Sequence, residues 1–308
     1  MVLGLNCGRR RSRAVELAAA ALLLASGCGD EANELDTDIY ELSPREQANI
    51  DVATRVIEQG LGGGDVSVIE QLVRPDYIQH NAQARDGREG LLEFVAAQGG
   101  VAVRIHRKLA NGNLVAFHST YGEGAGRLVA FDVFRVQRGQ LAEHWDALQR
   151  WVDPEGTVSG NTLVDGTETV SDRHLTNANR LLVTQMVREV FVEGRVERLA
   201  DYIGSSYIQH NPRSDNGLAS VQAFLAAVKA QGVALAYTAS PLVVADGNFV
   251  LVGSEGYLGQ VSDYTVFYDL FRVNGGKVVE HWDVIQSVDP SAVPHSNGLF
   301  GAGSGEPQ

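Results

Sequence analysis

Apolar residues recur at helical spacing near the start of the globular sequence, with Ile50, Ala53, Val56 and Ile57 on one face. Ser43-Pro44-Arg45-Glu46 opens this run as a capping box with proline at the first helical position. The glycine-rich stretch 60–64 predicts its end near Gln59. A short helix through Ile69 and Leu72 follows, and residues 87–98 predict another, with Leu91, Leu92 and Val95 on one side. From Val101 to Arg150 the period becomes that of strands, interrupted by Asn111-Gly112, a loop over 122–126 and Arg138-Gly139. The last two strands, 132–137 and 140–149, flank the two-residue turn Arg138-Gly139.

This order is then repeated. Tyr77-Ile78-Gln79-His80-Asn81 returns letter for letter as Tyr207-Ile208-Gln209-His210-Asn211, and Glu143-His144-Trp145-Asp146 as Glu280-His281-Trp282-Asp283. Asn49 and Phe94 match Asn179 and Phe224 at an offset of 130, while Phe134-Arg135-Val136 matches Phe271-Arg272-Val273 at 137. The insertions fall in strand-connecting loops, where a scaffold tolerates them. An internal repeat decides architecture before propensity does. The expectation is α+β: two tandem domains, 43–152 and 172–288, each with helices packed on a curved antiparallel sheet. The Gly-, Thr- and Ser-rich stretch 153–171 is expected to be a linker, and 289–308 a disordered tail.

Composition adds a compartment and removes some partners. The 308 residues are 44% hydrophobic and 20% charged, ample for a core, and the net charge of -13 disfavours nucleic acid as a partner. Residues 1–27 read as a signal peptide, with Arg9, Arg10, Arg11 and Arg13 before a short apolar segment. The segment Leu24-Ala25-Ser26-Gly27-Cys28 resembles a bacterial lipobox, which implies lipidation at Cys28 and an exported linker over 28–42; the alternative is an ordinary cleaved signal peptide. The protein is then expected in the cell envelope, anchored to a membrane by lipid and facing the periplasm or the outside. With Cys7 inside the leader, no disulfide is expected in the mature chain.

The repeated words carry the candidate chemistry. Along the final strand side chains alternate, so His144 and Asp146 share one face, as do His281 and Asp283; Glu143 with Trp145, and Glu280 with Trp282, take the other. On the preceding strand Asp132 shares a face with Phe134, and Asp269 with Phe271. A carboxylate among apolar neighbours rises in pKa toward the range of a general acid or base, and an imidazole beside it can relay the proton. A pocket uniting His80, Asp132, His144 and Asp146 (His210, Asp269, His281 and Asp283 in the second copy) would suit proton abstraction beside a carbonyl or protonation of an epoxide. The structural alternatives are a histidine pinning a loop, tryptophans filling a core or interface, and aspartates paired with Arg135 or Arg272. These are metal-ligand residue types, but no His-x-His or His-Glu-x-x-His spacing occurs, so no metal is expected. The absence of nucleotide-binding motifs predicts no cofactor.

Taken together, Tyr-Ile-Gln-His-Asn, Asp-x-Phe-Arg-Val, a glycine-containing turn and Glu-His-Trp-Asp-x-x-Gln resemble the SnoaL-like polyketide cyclase family of the nuclear transport factor 2-like superfamily, in both copies. The resemblance implies that each domain is cone-shaped, with an apolar pocket between helices and a bent sheet, and that a late-strand aspartate acts as general acid/base without cofactor. Asp146 and Asp283 match that position best, with Asp132 and Asp269 facing the same cavity. Asn211-Pro212 keeps the family's proline whereas Asn81 is followed by Ala82, which favours the second site. Catalysis on a small apolar carbonyl compound and non-catalytic binding of a hydrophobic molecule both remain open, with a purely structural role as a third reading. Related single domains commonly dimerise, so the copies are expected to pair sheet against sheet as an internal pseudo-dimer.

Overall fold

The structure, a computed structural model, describes residues 41–232, 234–260 and 264–301. The leader, Cys28 and most of the 28–42 linker lie outside the described residues, as do 302–308. Among the described residues no helix is long and apolar enough to cross a membrane.

Helix α1 (Pro44–Arg55) begins with the full capping box: the Ser43 side chain accepts from Glu46 N–H, and Glu46 reaches back to the cap. It does not stop at Gln59; the chain continues as a π-helical turn over Val56–Gly62. The continuation buries Val56, Ile57 and Gly60, so burial of the apolar face outweighs the helix-ending tendency of glycine here. Helix α2 (Val66–Leu72), strand β1 (Val73–Gln79) and helix α3 (Gly87–Gln98) precede four strands: β2 (Val103–Asn111), β3 (Leu114–Tyr121), β4 (Leu128–Gln137) and β5 (Gln140–Arg150). The second half repeats the order as α4 (Thr176–Val187), α5 (Leu199–Tyr202), β6 (Ile203–Gln209), α6 (Leu218–Ala230), β7 (Ala234–Asp246), β8 (Phe249–Gly259), β9 (Tyr264–Asn274) and β10 (Lys277–Ser287).

Each half is α+β, and its sheet has five strands in the order β1-β5-β4-β3-β2 or β6-β10-β9-β8-β7. The four-strand meander is antiparallel as expected, but β1 and β6, the strands of the repeated Tyr-Ile-Gln-His words, join it in parallel beside β5 and β10. The sheets are therefore mixed. In both halves an asparagine ties the first helix to the first meander hairpin: Asn49 Nδ2 donates to Gly112 O at 3.0 Å and Asn179 Nδ2 to Gly247 O at 2.8 Å. The β4–β5 turn has Arg138 and Gly139 at φ 54° and 76°, and the β9–β10 turn has Gly275 and Gly276 at 57° and 71°, the positive pair a tight hairpin requires.

Helices cover one face of each sheet and enclose separate cores, Ile57, Ile69, Phe117 and Phe134 in the first half and Val187, Leu199, Phe267 and Phe271 in the second. The opposite faces meet each other. Phe131, Val133, Trp145 and Ala147 pack with Leu251, Leu270, Trp282 and Val284 in one shared core. Across it, Gln286 Oε1 accepts from Leu148 N–H and Gln149 Oε1 accepts from Ile285 N–H, both at 2.9 Å.

The linker 153–171 packs as a strap, and residues 289–301, expected to be disordered, are ordered as a second one; 302–308 lie outside the described residues. Residues 153–171 contribute buried Leu163 and Val164 to the shared core, and Arg107 Nε and Nη2 donate to the carbonyls of Thr167 and Asp165. The tail through Gly301 contributes Phe300, stacked on Tyr268, while Trp145 Nε1 donates to Phe300 O at 3.3 Å. Glycine and serine content signals backbone freedom, but these segments dock through backbone carbonyls and one or two anchors, a mode that composition does not reveal. Deleting the Phe300 side chain should therefore cost about 3 kcal/mol of stability. Urea unfolding of Phe300→Ala checks this; an unchanged midpoint would mean that the tail does not pack.

Candidate functional site

Strand register builds the same cluster twice. Asp132 lies directly opposite Asp146 across β4 and β5, with His144 one position pair away opposite Phe134. In the second half Asp269 faces Asp283, and Phe271 faces His281. Like charges directly opposed on one sheet face destabilise it, so this pairing is an unfavourable choice for a purely structural position. The parallel edge strand completes the cluster by setting Gln79 beside His144 and Gln209 beside His281.

The hydrogen bonds orient the imidazoles. Gln79 Oε1 accepts the backbone N–H of His80 and Asn81, so it must also accept from His144 Nδ1, 2.9 Å away. Gln209 Oε1 does the same for Asn211 N–H and His281 Nδ1, the latter at 3.0 Å. The other ring nitrogen then faces a carboxylate: His281 Nε2 is 2.9 Å from Asp269 Oδ1, and His144 Nε2 is 3.4 Å from Asp132 Oδ1. The remaining oxygen of each of these aspartates accepts a phenol, from Tyr237 at 2.9 Å and Tyr121 at 2.8 Å. A proton is thus held between His281 and Asp269.

Asp283 and Asp146 are each held by one amide. Asn211 Nδ2 donates to Asp283 Oδ2 and Asn81 Nδ2 to Asp146 Oδ2, both at 2.6 Å. Their Oδ1 atoms are buried and have no hydrogen-bond partner among the described residues. Burial pushes both carboxyls up, with the opposed aspartate adding to the rise and the imidazole opposing it; Asp146 reaches about 6. Burial alone would lower His144 and His281, but the adjacent carboxylates outweigh it and raise both. Tyr207 is pushed well above the ordinary phenol range by burial and by Asp283 and Asp269, so it stays protonated.

A cavity of about 710 Å³ opens onto the second cluster, a volume suited to a small organic molecule. Asp269, His281, Asp283, Tyr207 and Asn211 line it together with apolar residues such as Phe224, Leu225, Phe267 and Ile285.

His80 and His210 are not part of these clusters. They lie on the opposite sheet face, stacked on Trp145 and Trp282. His80 Nε2 bonds Glu143 at 2.9 Å and its Nδ1 meets Gly298 O at 2.7 Å; His210 bonds Glu280 and Thr162 O at 3.1 and 2.7 Å. Each strap thus crosses the other half's histidine, and a Cβ at Gly166 or Gly301 would collide with Glu280 or His80. These histidines pin loops. Nor do Arg135 and Arg272 neutralise the aspartates; they pair with Glu143 and Glu280 at 2.8 and 2.6 Å, helping to hold both glutamates below their ordinary pKa. Pairing by alternation along β5 and β10 was readable from sequence, whereas the face taken by His80 depends on a nonlocal parallel contact. Gln79, Gln209, Asn81 and Asn211 sit in the repeated words, and that repetition was the signal for their orienting role.

The three side chains of each cluster, Asp132, His144 and Asp146 or Asp269, His281 and Asp283, each offer one ligand atom within 4.8 Å of the others. They are the residues that could hold a metal ion. In the second half such an ion would have to displace the proton between His281 and Asp269.

A model of the SnoaL-like domain family matches residues 53–144, within the first half. No curated protein matches the chain by sequence. Among solved structures, TsrD from Streptomyces laurentii is 17% identical over 35% of this chain and 92% of its own, with a TM-score of 0.31. A protein of Jannaschia Sp. CCS1 named for the SnoaL-like polyketide cyclases is 21% identical over 35% and 90%, with a TM-score of 0.32. An LEH-like epoxide hydrolase of M. tuberculosis is 21% identical over 34% and 86%, with a TM-score of 0.31.

If Asp269 sustains the His281 proton, Asp269→Asn should move the His281 titration to lower pH. Imidazole NMR shifts recorded across pH report this directly, and an unmoved titration would contradict the assigned contact.

Proposed function

We propose that this chain is an exported protein with tandem SnoaL-like domains, whose second cavity carries out cofactor-independent acid/base catalysis on a small apolar carbonyl compound. The observation that carries this reading is the buried Oδ1 of Asp283, which has no partner among the described residues and belongs to a carboxylate lining a roomy apolar cavity beside His281. A structural carboxylate at such a site would satisfy both oxygens; a base needs one lone pair left open.

In this reading the substrate sits with its acidic C–H against Asp283 Oδ1. Asn211 fixes the carboxylate through the other oxygen. Abstraction transfers the proton to Asp283 and leaves negative charge on the substrate oxygen. Tyr207 is placed to meet that charge, because Gln209 Nε2 donates to its hydroxyl oxygen at 3.3 Å and leaves the phenol proton available. His281, shared with Asp269, supplies positive charge near the developing anion. Proton return from Asp283 to a different carbon completes an isomerisation; where the enolate carbon first adds to a second carbonyl carbon of the substrate and breaks its C=O π bond, the proton returns to the resulting alkoxide and completes an aldol addition. The matching words and the family model over 53–144 support the same assignment for the first half, with Asp146 in the role of Asp283.

Asp283→Asn should lower turnover of apolar ketones by about 10²–10⁴-fold while the fold survives. The rate should rise with pH as the raised Asp283 carboxyl ionises, and fall again as the raised His281 loses its proton, the two limbs belonging to the coupled cluster. Undiminished turnover in the asparagine variant would defeat the assignment. Ligand retention with no product from the native protein under any condition would favour a binding role instead. The proposed lipid anchor has its own check: Cys28→Ala should release the protein from membranes, and unchanged fractionation would exclude that anchor.

A further inference from the structure

The second cavity is charged oppositely at its two ends. Asp269 and Asp283 line it at 3% and 4% exposure, so they mark its deep end. Arg150, Arg213, Gln231 and Ser287 line it as exposed residues and mark its mouth. In a chain of net charge -13, two arginines therefore share one cavity mouth, and neither forms an ion pair among the described residues.

The two come from different halves. Arg213 follows Asn211-Pro212 in the second half, whereas Arg150 ends β5 of the first. Arg150 is delivered to the foreign cavity by its neighbour Gln149, whose side chain accepts from Ile285 N–H across the shared core. The repeat register shows that this rim is not duplicated. Ser287 occupies the position equivalent to Arg150, and Gln83 the position equivalent to Arg213.

We infer that the substrate of the second cavity is an amphipathic carboxylic acid, a conclusion that rests on reading this cavity as a substrate site. Its apolar body lies against Phe224, Leu225, Phe267 and Ile285, its reactive carbonyl reaches Asp283, and its carboxylate stays at the mouth with Arg150 and Arg213. Guanidinium groups suit a planar carboxylate, and the deep aspartates repel it, so the charges admit one orientation of the ligand and reject the reverse. The first half supplies one of the two cations, so the second site is incomplete without it.

The test uses the intact protein and a fluorescent probe pair, a dimethylaminonaphthyl ketone bearing a cyclohexane carboxylic acid, and its methyl ester. The acid should bind roughly fivefold more tightly than the ester, a preference that fades as salt is raised. Arg150→Gln and Arg213→Gln, both at exposed positions, should each shrink the preference while leaving ester affinity unchanged. Equal affinity for acid and ester in the native protein, binding of neither, or a preference intact in both variants would overturn the inference. Asp283→Asn separates this from the catalytic reading: it should lower turnover by about 10²–10⁴-fold yet keep the preference for the acid.

Discussion

The whole molecule hangs on the two-residue alternation of a single strand, written twice. Along β5 and β10 one set of side chains, Trp145 and Trp282 among them, turns into the core that joins the two sheets. The other set, His144 with Asp146 and His281 with Asp283, turns toward the helices. A slip of one residue would bury the carboxylates between the sheets and aim the indoles at the cavity. The same register that builds the interface therefore builds the site, and neither can drift without the other.

That coupling extends to the straps. Each half's last strand runs on into a segment that crosses the other half, meeting His210 through Thr162 O and His80 through Gly298 O. The glutamates beneath these histidines are also held by Arg272 and Arg135, so on the face that each sheet turns to the other the polar groups are partnered. The helix-covered face differs: an aspartate opposes an aspartate, and one carboxylate oxygen is left without a partner among the described residues. Unfavourable groups persist where the surrounding structure over-determines them, and such places are characteristically functional.

Much of this was legible in the amino-acid order. The capping box at Ser43, the Arg138-Gly139 turn and the split of His144 from Trp145 depend on neighbours close in sequence, where period and turn chemistry are strong signals. What depends on distant pairing was not legible. The parallel docking of β1 on β5 decides that Gln79 rather than His80 reaches the His144 ring, and nothing within the five-residue word distinguishes the two. The order of residues 289–301 likewise arises from a cleft that only the assembled pair of sheets provides for Phe300. The extension of α1 past Gln59 has the same origin, because its buried face is chosen by the sheet it covers.

The central claim is that Asp283 removes a proton from carbon. Hydrogen exchange at the α-position of an apolar ketone in deuterium oxide, followed by proton NMR, reads that step without knowledge of the product. The account predicts loss of the α-proton signal with the native protein at a rate well above buffer, and buffer-level exchange with Asp283→Asn. Equal exchange by the two proteins would contradict it.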